Sequence, residues 1–403
     1  MPSVLLAGLT TRAAAESAVA AGFTVTAIDG FADIDLHPDI HRVTLPRDGE
    51  PFSAETAAQV AAGFSSDAAA YLANFENHPE AVEALAAGRA LWGNPPDVLR
   101  RVRNPVLLMQ KLRAYGIETP LVKMIRHNPN DSNDPNAPND SNDPNDPNDP
   151  NDPNDPNDPR DWLLKPIASG GGRGVRSWNG RVVPPGCYLQ RRVDGTSASA
   201  VFAAAGGAAV TLGISAQLIG DAAFGASGFR YCGNILVSAG DPVFQHDETL
   251  LDAVIDLVVA ATASFGLVGV NGIDFVADAG SAYPIEVNPR WSGSMELVER
   301  AYGMSMFGVH ATSCAKETLP VFDVRKMRQH VPAVGKAIVF AREPVTMGDT
   351  ESWLKDLTVR DVPRPGELIA AGAPICTVFA EGHTAAGCYE ALVRRAQRIY
   401  QCV

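Results

Sequence analysis

Apolar positions along this chain follow two different periods. SVLLAG (residues 3–8) is an unbroken apolar run of strand length, TTRAAAESAVAAG is an Ala-rich helical pattern stopped by glycine, and FTVTAID is apolar again. Strand, helix and strand in that order predict a parallel sheet. The segment from Ala68 to Pro120 predicts a strand and two helices. LVKMIRH and DWLLKPI read as strands, GCYLQRRVDG as another, and VFAAAGGAAVTLGISAQLI as two more. Residues 246–266 give an amphipathic helix, with Asp252 and Asp256 four apart on one face. GIDFVAD and AYPIEVNP are strands, a helix begins at about Met295, the pattern is β-rich from Val331, and AAGCYEALVRRAQRIY closes the chain as a helix.

Between LVKMIRH and DWLLKPI lies the repeat NDPNDPNDP, part of a polar insertion over 128–159. Proline at every third position forbids helix and ladder alike, and nothing apolar is there to bury. The repeat reads as the expanded loop of a hairpin, since lengthening a surface loop costs only about 0.6 kcal/mol per doubling. Calcium coordination by the regularly spaced Asp residues is the alternative, but the run lacks the glycine turn and bidentate Glu of known calcium loops.

The chain has 403 residues, enough for two or three domains, and 46% are apolar. Its formal net charge is -13, but residues 128–159 hold nine Asp and no Lys or Arg, so the remainder carries only -4. No basic stripe with interleaved aromatics points to nucleic acid. No window is apolar for long enough to span a membrane, and no signal peptide is evident. The six cysteines, Cys187, Cys232, Cys314, Cys376, Cys388 and Cys402, form no CxxC pair and read as reduced thiols of a cytoplasmic protein. The N-terminal strand–helix–strand has Gly8 but no GxGxxG, so it reads as a Rossmann-like structural domain and not as a dinucleotide site.

Chemistry concentrates in two places. In GIDFVADAGSAYPIEVNPR, a turn at Ala279, Gly280 and Ser281 with a register symmetric about Gly280 sets Asp274 opposite Glu286, with Asn288 on the same face. Ile273, Phe275, Ala277, Ile285 and Val287 fall on the other, core face. Two carboxylates and an amide oxygen form a hard donor set suited to magnesium. In WLLKPIASGGGRGV, Lys165 leaves a strand just ahead of Ser169, Gly170, Gly171, Gly172 and Gly174. Such a loop can close backbone N–H groups on phosphate oxygens, and the lysine adds a point charge. The spacing is not that of a P-loop.

Lys165, the glycine loop, YLQRRVDG and the ending in EVNPR together resemble the ATP-grasp superfamily over about Arg103 to Ala311. The resemblance implies an α/β (α+β) protein: a Rossmann-like domain over 1–100, an ATP-grasp domain over 101–312 with a lid at about 117–195, and a β-rich C-terminal segment, 313–403, completing it. It implies ATP and Mg2+, with Mn2+ as a substitute. Lys165 would bind the α- and β-phosphates, and Ser169 to Gly174 would cover the β- and γ-phosphates. Gln190 to Val193 would be the hinge, with backbone groups of Arg191 and Val193 reading adenine. Asp274, Glu286 and Asn288 would hold the metal, and Arg290 would stabilise the transferring phosphoryl group. The family's first ATP-binding cation falls on Pro105 here, so Arg103 or Lys111 would take its place, and the ribose acid falls near Ser197 or Ala198. GFRYCGNILVS, the SGS of Ser292 to Ser294 and DVPRPGELIAAGAPICTVFAEG are similar to ATP-grasp proteins of one-carbon cofactor pathways (tetrahydromethanopterin, methanofuran), the tyramine–glutamate ligases among them. Arg230, Ser292 and Ser294 are the candidate substrate contacts, and His310 is expected to be a packed helix residue. The implied activity is an ADP-forming carboxylate–amine ligase acting on small-molecule acids and amines, in a cytoplasmic protein with a homodimer as its candidate assembly. A biotin-carboxylase-like enzyme and a catalytically silent ATP-binding scaffold are the rivals.

Overall fold

The computed structural model describes residues 1–31, 33–45, 52–124 and 161–403. The NDP insertion therefore lies outside the described residues. The N-terminal layer runs β1 (Ser3–Gly8), α1 (Arg12–Ala20), β2 (Thr24–Asp29), β3 (His41–Thr44), α2 (Ala54–Ala61), β4 (Ala68–Tyr71), α3 (Pro79–Ala86) and β5 (Ala90–Leu91). Its strands form a parallel sheet in the order β3-β2-β1-β4-β5, as the apolar runs require of strands buried on both faces. The polar-interrupted segments that became β3 and α2 carried no clear period. Ala68 to Pro120 holds three helices, not two, because α4 (Pro96–Val102) and α5 (Pro105–Arg113) follow α3 separately. Proline at N1 starts all three, and Asn104 caps α5 by accepting from the N–H groups of Val106 and Leu107.

A small antiparallel sheet follows, of β6 (Val122–Lys123), β7 (Trp162–Pro166), β8 (Arg176–Ser177) and β9 (Cys187–Arg191), in the order β6-β9-β7-β8. The strands on either side of the insertion do not form a hairpin. β6 and β7 both run antiparallel to β9, which lies between them, so they are parallel to each other.

The main sheet contains eight strands, all antiparallel. They come from β10 (Thr196–Ala205), β11 (Ala208–Ile219), β12 (Tyr231–Leu236), β13 (Gly269–Asp278), β14 (Ser281–Asn288), β15 (Ala333–Phe340), β17 (Val359–Arg360) and β19 (Pro374–Gly382), in the order β14-β13-β10-β11-β12-β15-β19-β17. β16 (Val345–Thr346) and β18 (Leu368–Ile369) pair apart from it. The C-terminal strands thus extend the same sheet that carries the EVNP motif. One sheet face buries Ala198, Ala200, Phe202 and Ile273 with α6 (Asp247–Phe265) and α10 (Ala385–Cys402). The other face changes character along its length. Val201, Ala203 and Leu212 pack with α7 (Met295–Tyr302), α8 (Met306–Lys316) and the N-terminal layer, including Val4 and Leu6. Toward the start of β10 that face becomes polar, and there the cavity opens. The short α9 (Val324–Arg328) precedes β15.

Candidate active site

A cavity of about 410 Å³ lies between the small sheet and the polar end of the main sheet. Its floor is a row of cross-strand neighbours. Glu286 on β14 faces Asp274 on β13, Asp274 faces Ser199 on β10, and Ser199 faces Ser215 on β11. The side-chain alternation of a sheet puts all four on one face.

The Asp274–Glu286 register is as expected from symmetry about Gly280, but it arises differently. The turn is two residues, Ala279 and Gly280, both at positive φ (48° and 88°), and Ser281 already belongs to β14. A bulge between Asp274 and Phe275 then restores the pairing by leaving Ile285 unmatched. Ile285 is therefore displaced from the core face and lines the cavity, unlike its expected companions Ile273 and Val287; Phe275 is buried in the core and also borders the cavity.

Two adjacent carboxylates set the electrostatics. Burial, and then the neighbouring Glu286 charge, push Asp274 up to about 7. Burial would also raise Glu286, but Arg103 and Lys165 outweigh it and hold that carboxyl below its ordinary value. Asp274 accepts from the amides of Gln217 (2.9 Å) and Asn288 (3.1 Å), and Glu286 from Arg103 Nη1 at 3.1 Å. Each carboxylate oxygen retains a free lone pair after these bonds. Hard oxygens on Asp274, Glu286 and Asn288, with like charges side by side, fit a magnesium ion. Among the described residues no three His, Cys, Asp or Glu side chains cluster as a metal site, so the fit rests on two carboxylates and an amide.

Three cations surround the pair. Lys165 on β7 faces Tyr188 on β9, and its Nζ donates to Gln190 Oε1 at 2.8 Å, two residues along the same face. Burial lowers its pKa, against the opposing pull of Glu286 and Asp274. Arg103, which ends α4, also donates to Asn77 Oδ1 and to the Ser169 carbonyl, which ties the glycine loop to the floor. Lys111 is exposed on α5 and does not line the cavity, so Arg103 is the basic residue that the fold brings in. Arg290 donates to Glu76 at 2.5 Å and to the Trp291 carbonyl at 2.8 Å, and its pKa is raised because Glu76 outweighs burial.

The glycine loop closes over this group. Gly170, Gly171, Gly172 and Ser169 line the cavity; Gly174 does not, and its φ of 79° instead turns the chain beside Pro166. Gly172 lies against the Phe229 carbonyl so closely that a Cβ would stand 1.8 Å from its oxygen. The residues expected to form the hinge, Gln190, Arg191 and Val193 among them, line the far end, with the Arg191 N–H already given to the Leu121 carbonyl. Of the two ribose positions, Ser197 lines the cavity and Ala198 is fully buried in the core. Ser292 and Ser294 line the opposite end, their hydroxyls 3.1 Å apart. Arg230 does not line the cavity: its guanidinium stacks 3.7 Å over the Phe340 ring, and that packing turns it away from the role expected of it. His310 is a buried helix residue. It accepts the Val270 N–H at 3.0 Å, and burial pushes it down to about 4.

Sequence reasoning missed the residues that the N-terminal layer contributes. Glu76 and Asn77, in a short 3-10 turn at Phe75–Asn77, meet Arg290 and Arg103. Tyr71 and Asn94 both donate to the Pro289 carbonyl and fix the backbone that aims Arg290. Only the polar letters of FEN in an apolar neighbourhood hinted at them.

Residues 104–294 match the ATP-grasp domain. The fold is an ATP-grasp fold. Among solved structures, an L-amino acid ligase from Bacillus licheniformis aligns with TM-score 0.63 and 18% identity, over 99% of this chain and 97% of that one. The biotin carboxylase domain of 2-oxoglutarate carboxylase from Hydrogenobacter thermophilus, in complex with MgADP, ADP and bicarbonate, aligns with TM-score 0.67 and 14% identity, over 98% and 89%. N5-carboxyaminoimidazole ribonucleotide synthetase from Thermus thermophilus aligns with TM-score 0.62 and 14% identity, over 98% of each chain. These identities carry the fold and nothing finer. By sequence, 119 residues are 31% identical to an uncharacterized protein of Methanocaldococcus jannaschii, covering 29% of this chain and 27% of that protein, so the match spans about a quarter of the relative's length. Among the described residues no helix is long and apolar enough to cross a membrane.

Proposed function

We propose that this protein is an ADP-forming, Mg-ATP-dependent ligase that joins a carboxylate to an amine through an acyl phosphate. The observation that carries the reading is the convergence of Lys165, Arg103 and Arg290 on the Asp274–Glu286 pair beneath a docked glycine loop. In this reading Lys165 and Arg103 hold the phosphates of ATP, and the loop's N–H groups cover them. A magnesium ion held by Asp274, Glu286 and Asn288 supplies neutralisation of phosphate charge. A substrate carboxylate oxygen attacks the γ-phosphorus, the bond to the ADP oxygen breaks, and Arg290 stabilises the charge on the moving phosphoryl group. The amine nitrogen then attacks the acyl carbon. The C–N bond forms, the C–O bond to phosphate breaks, and the departing phosphate takes up the proton that nitrogen sheds.

The finer role we propose is addition of an amino acid such as glutamate during synthesis of a one-carbon carrier, on the strength of GFRYCGNILVS and the C-terminal stretch. A second reading, a carboxylase of the biotin carboxylase kind, draws on the TM-score of 0.67 to such a domain. ADP release, measured with panels of carboxylic acids and amines and with bicarbonate, separates the two. The ligase reading expects ADP only when an acid and an amine are both present. ADP release driven by bicarbonate without an amine supports the carboxylase. Nucleotide binding with no turnover in any arm overturns both and leaves an ATP-binding scaffold.

A further inference from the structure

The end of the cavity beyond Arg290 contains a hydroxyl whose hydrogen-bonding sense is fixed by its neighbours. Tyr231 opens β12 and lines the cavity beside Asn234 and Gly293. Asn234 is buried, and its amide nitrogen donates to both Ser199 Oγ (3.1 Å) and Ser215 Oγ (2.8 Å). With both N–H groups committed, only Oδ1 faces Tyr231, and it accepts the tyrosine proton. The network itself sets the orientation of the amide. The Tyr231 oxygen is left with lone pairs and no proton to give, so it can only accept. It lies against the turn that follows Arg290, where a Cβ on Gly293 would stand 2.9 Å from it. The backbone N–H of the same residue donates to the Gly171 carbonyl at 3.0 Å, which clasps the glycine loop.

We infer that Tyr231 marks the amine subsite: its oxygen accepts a hydrogen bond from the N–H of the incoming amine and orients the nitrogen toward the acyl carbon near Arg290. Tyr231 takes no proton and forms no bond to the substrate; it is a positioning residue. An acceptor-only group selects a nitrogen that carries hydrogen, and it is of no use to the carboxylate that is phosphorylated first. The clasp on Gly171 also links the amine end to the loop above the phosphates.

The inference rests on the ligase reading. The test compares Tyr231→Phe with the wild-type protein on the acid and amine that support ADP release. The ring stays and only the hydroxyl goes. The expected result is an amine KM raised about tenfold, as for loss of one hydrogen bond to a bound partner. The KM values for ATP and acid and the ADP affinity should hold, while the melting temperature falls because buried Asn234 Oδ1 loses its donor. Hydroxamate formation from the same acid with saturating hydroxylamine, which traps the acyl phosphate, should also hold. An unchanged amine KM in a folded variant overturns the inference and leaves the ligase reading intact. A Tyr231→Phe protein that loses hydroxamate formation and amine turnover together also overturns it, because the hydroxyl then serves phosphorylation. If the wild type releases no ADP with any pair, the ligase reading falls and this inference with it.

Discussion

Arg290 has two roles that a single substitution would confuse. Its guanidinium lines the cavity, where the proposed ligase reading gives it the transferring phosphoryl group, and it is also the partner of Glu76, whose side chain is 1% exposed and whose second oxygen has no partner among the described residues. Arg290→Ala should lower kcat about a hundredfold, the scale of one lost transition-state donor. It should also destabilise the protein by about 3–5 kcal/mol, because it leaves a buried charge unpaired. Adding Glu76→Gln should restore most of that stability and none of the rate. Melting curves and steady-state rates on the single and double variants read the two roles separately; a double variant that melts as low as the single one would show that Glu76 is not the source of the loss. Glu286 differs, since its side chain is 31% exposed. Glu286→Gln keeps an acceptor for Arg103 and relieves the repulsion on Asp274. ADP formation should fall at least a hundredfold while the melting temperature stays level or rises; wild-type ADP formation would remove Glu286 from the metal site. Both carboxylates of the hairpin were legible in the sequence because they lie only twelve residues apart on one hairpin, which places them opposite each other. Glu76 was not, because it meets Arg290 across 214 residues, and no local period encodes such a pairing.

At the scale of elements, periodicity recovered most strands and helices, since burial dictates it. What it could not give was pairing. LVKMIRH and DWLLKPI look like two arms of a hairpin, yet β9, contributed from beyond the glycine loop, separates them. The EVNP hairpin reached its expected register only because a bulge corrected for a tighter turn. The glycine loop raises the same issue of fit between elements. Gly172 sits at φ 72°, which costs a non-glycine residue about 1–2 kcal/mol, and its place for a Cβ is filled by backbone and not by a yielding side chain. Gly172→Ala should therefore lift the loop from Phe229 while the core, which does not include it, stays intact. We expect ATP KM to rise at least tenfold with the melting temperature within about a degree or two of wild type, because the loop adds little buried area. Gly170→Ala, with open space around it, is the control. Equal effects of the two substitutions would mean that close approach to Phe229 is not what the loop requires.

The whole molecule is held together around Arg12, whose side chain is 2% exposed. From α1 it reaches Asp361 Oδ1 (2.6 Å) in the C-terminal segment, Glu296 Oε1 (3.0 Å) on α7, and Glu16 Oε2 (3.0 Å) on its own helix, with Asp35 at 3.8 Å. Lys336 on β15 meets Glu296 from the other side at 3.0 Å. One guanidinium thus joins three parts of the chain, and Glu296 lies two residues beyond Ser294, so this cluster also supports that end of the cavity. Burial alone would raise Glu296 and Asp361, but the surrounding cations, Arg12 foremost with Lys336 and, at Glu296, Arg300, together hold both below the ordinary carboxylate range. Their contribution is present above the unfolded pKa of about 4 and is lost as pH falls through the depressed values. Burial raises Glu16, Asp35 and Asp33 instead, so their contribution is present at low pH and lost as pH climbs through the raised values. In the wild type the two sets oppose each other. Arg12→Met removes the cation that separates them, and Asp361 and Glu296 should join the raised set, Asp361 the more because Glu296 also keeps Arg300 and its hydrogen bond from Lys336. The variant should lose about 3–5 kcal/mol at neutral pH, the scale of breaking a buried ion pair from one side. Its deficit relative to wild type should be larger at about pH 8 than at about pH 5, because ionising the stranded carboxylates costs more than protonating them. Denaturant unfolding of both proteins at the two pH values measures this directly. A deficit that is equal at both, or larger in acid, would mean that Arg12 holds the layers together by packing its methylene stem and not by its charge.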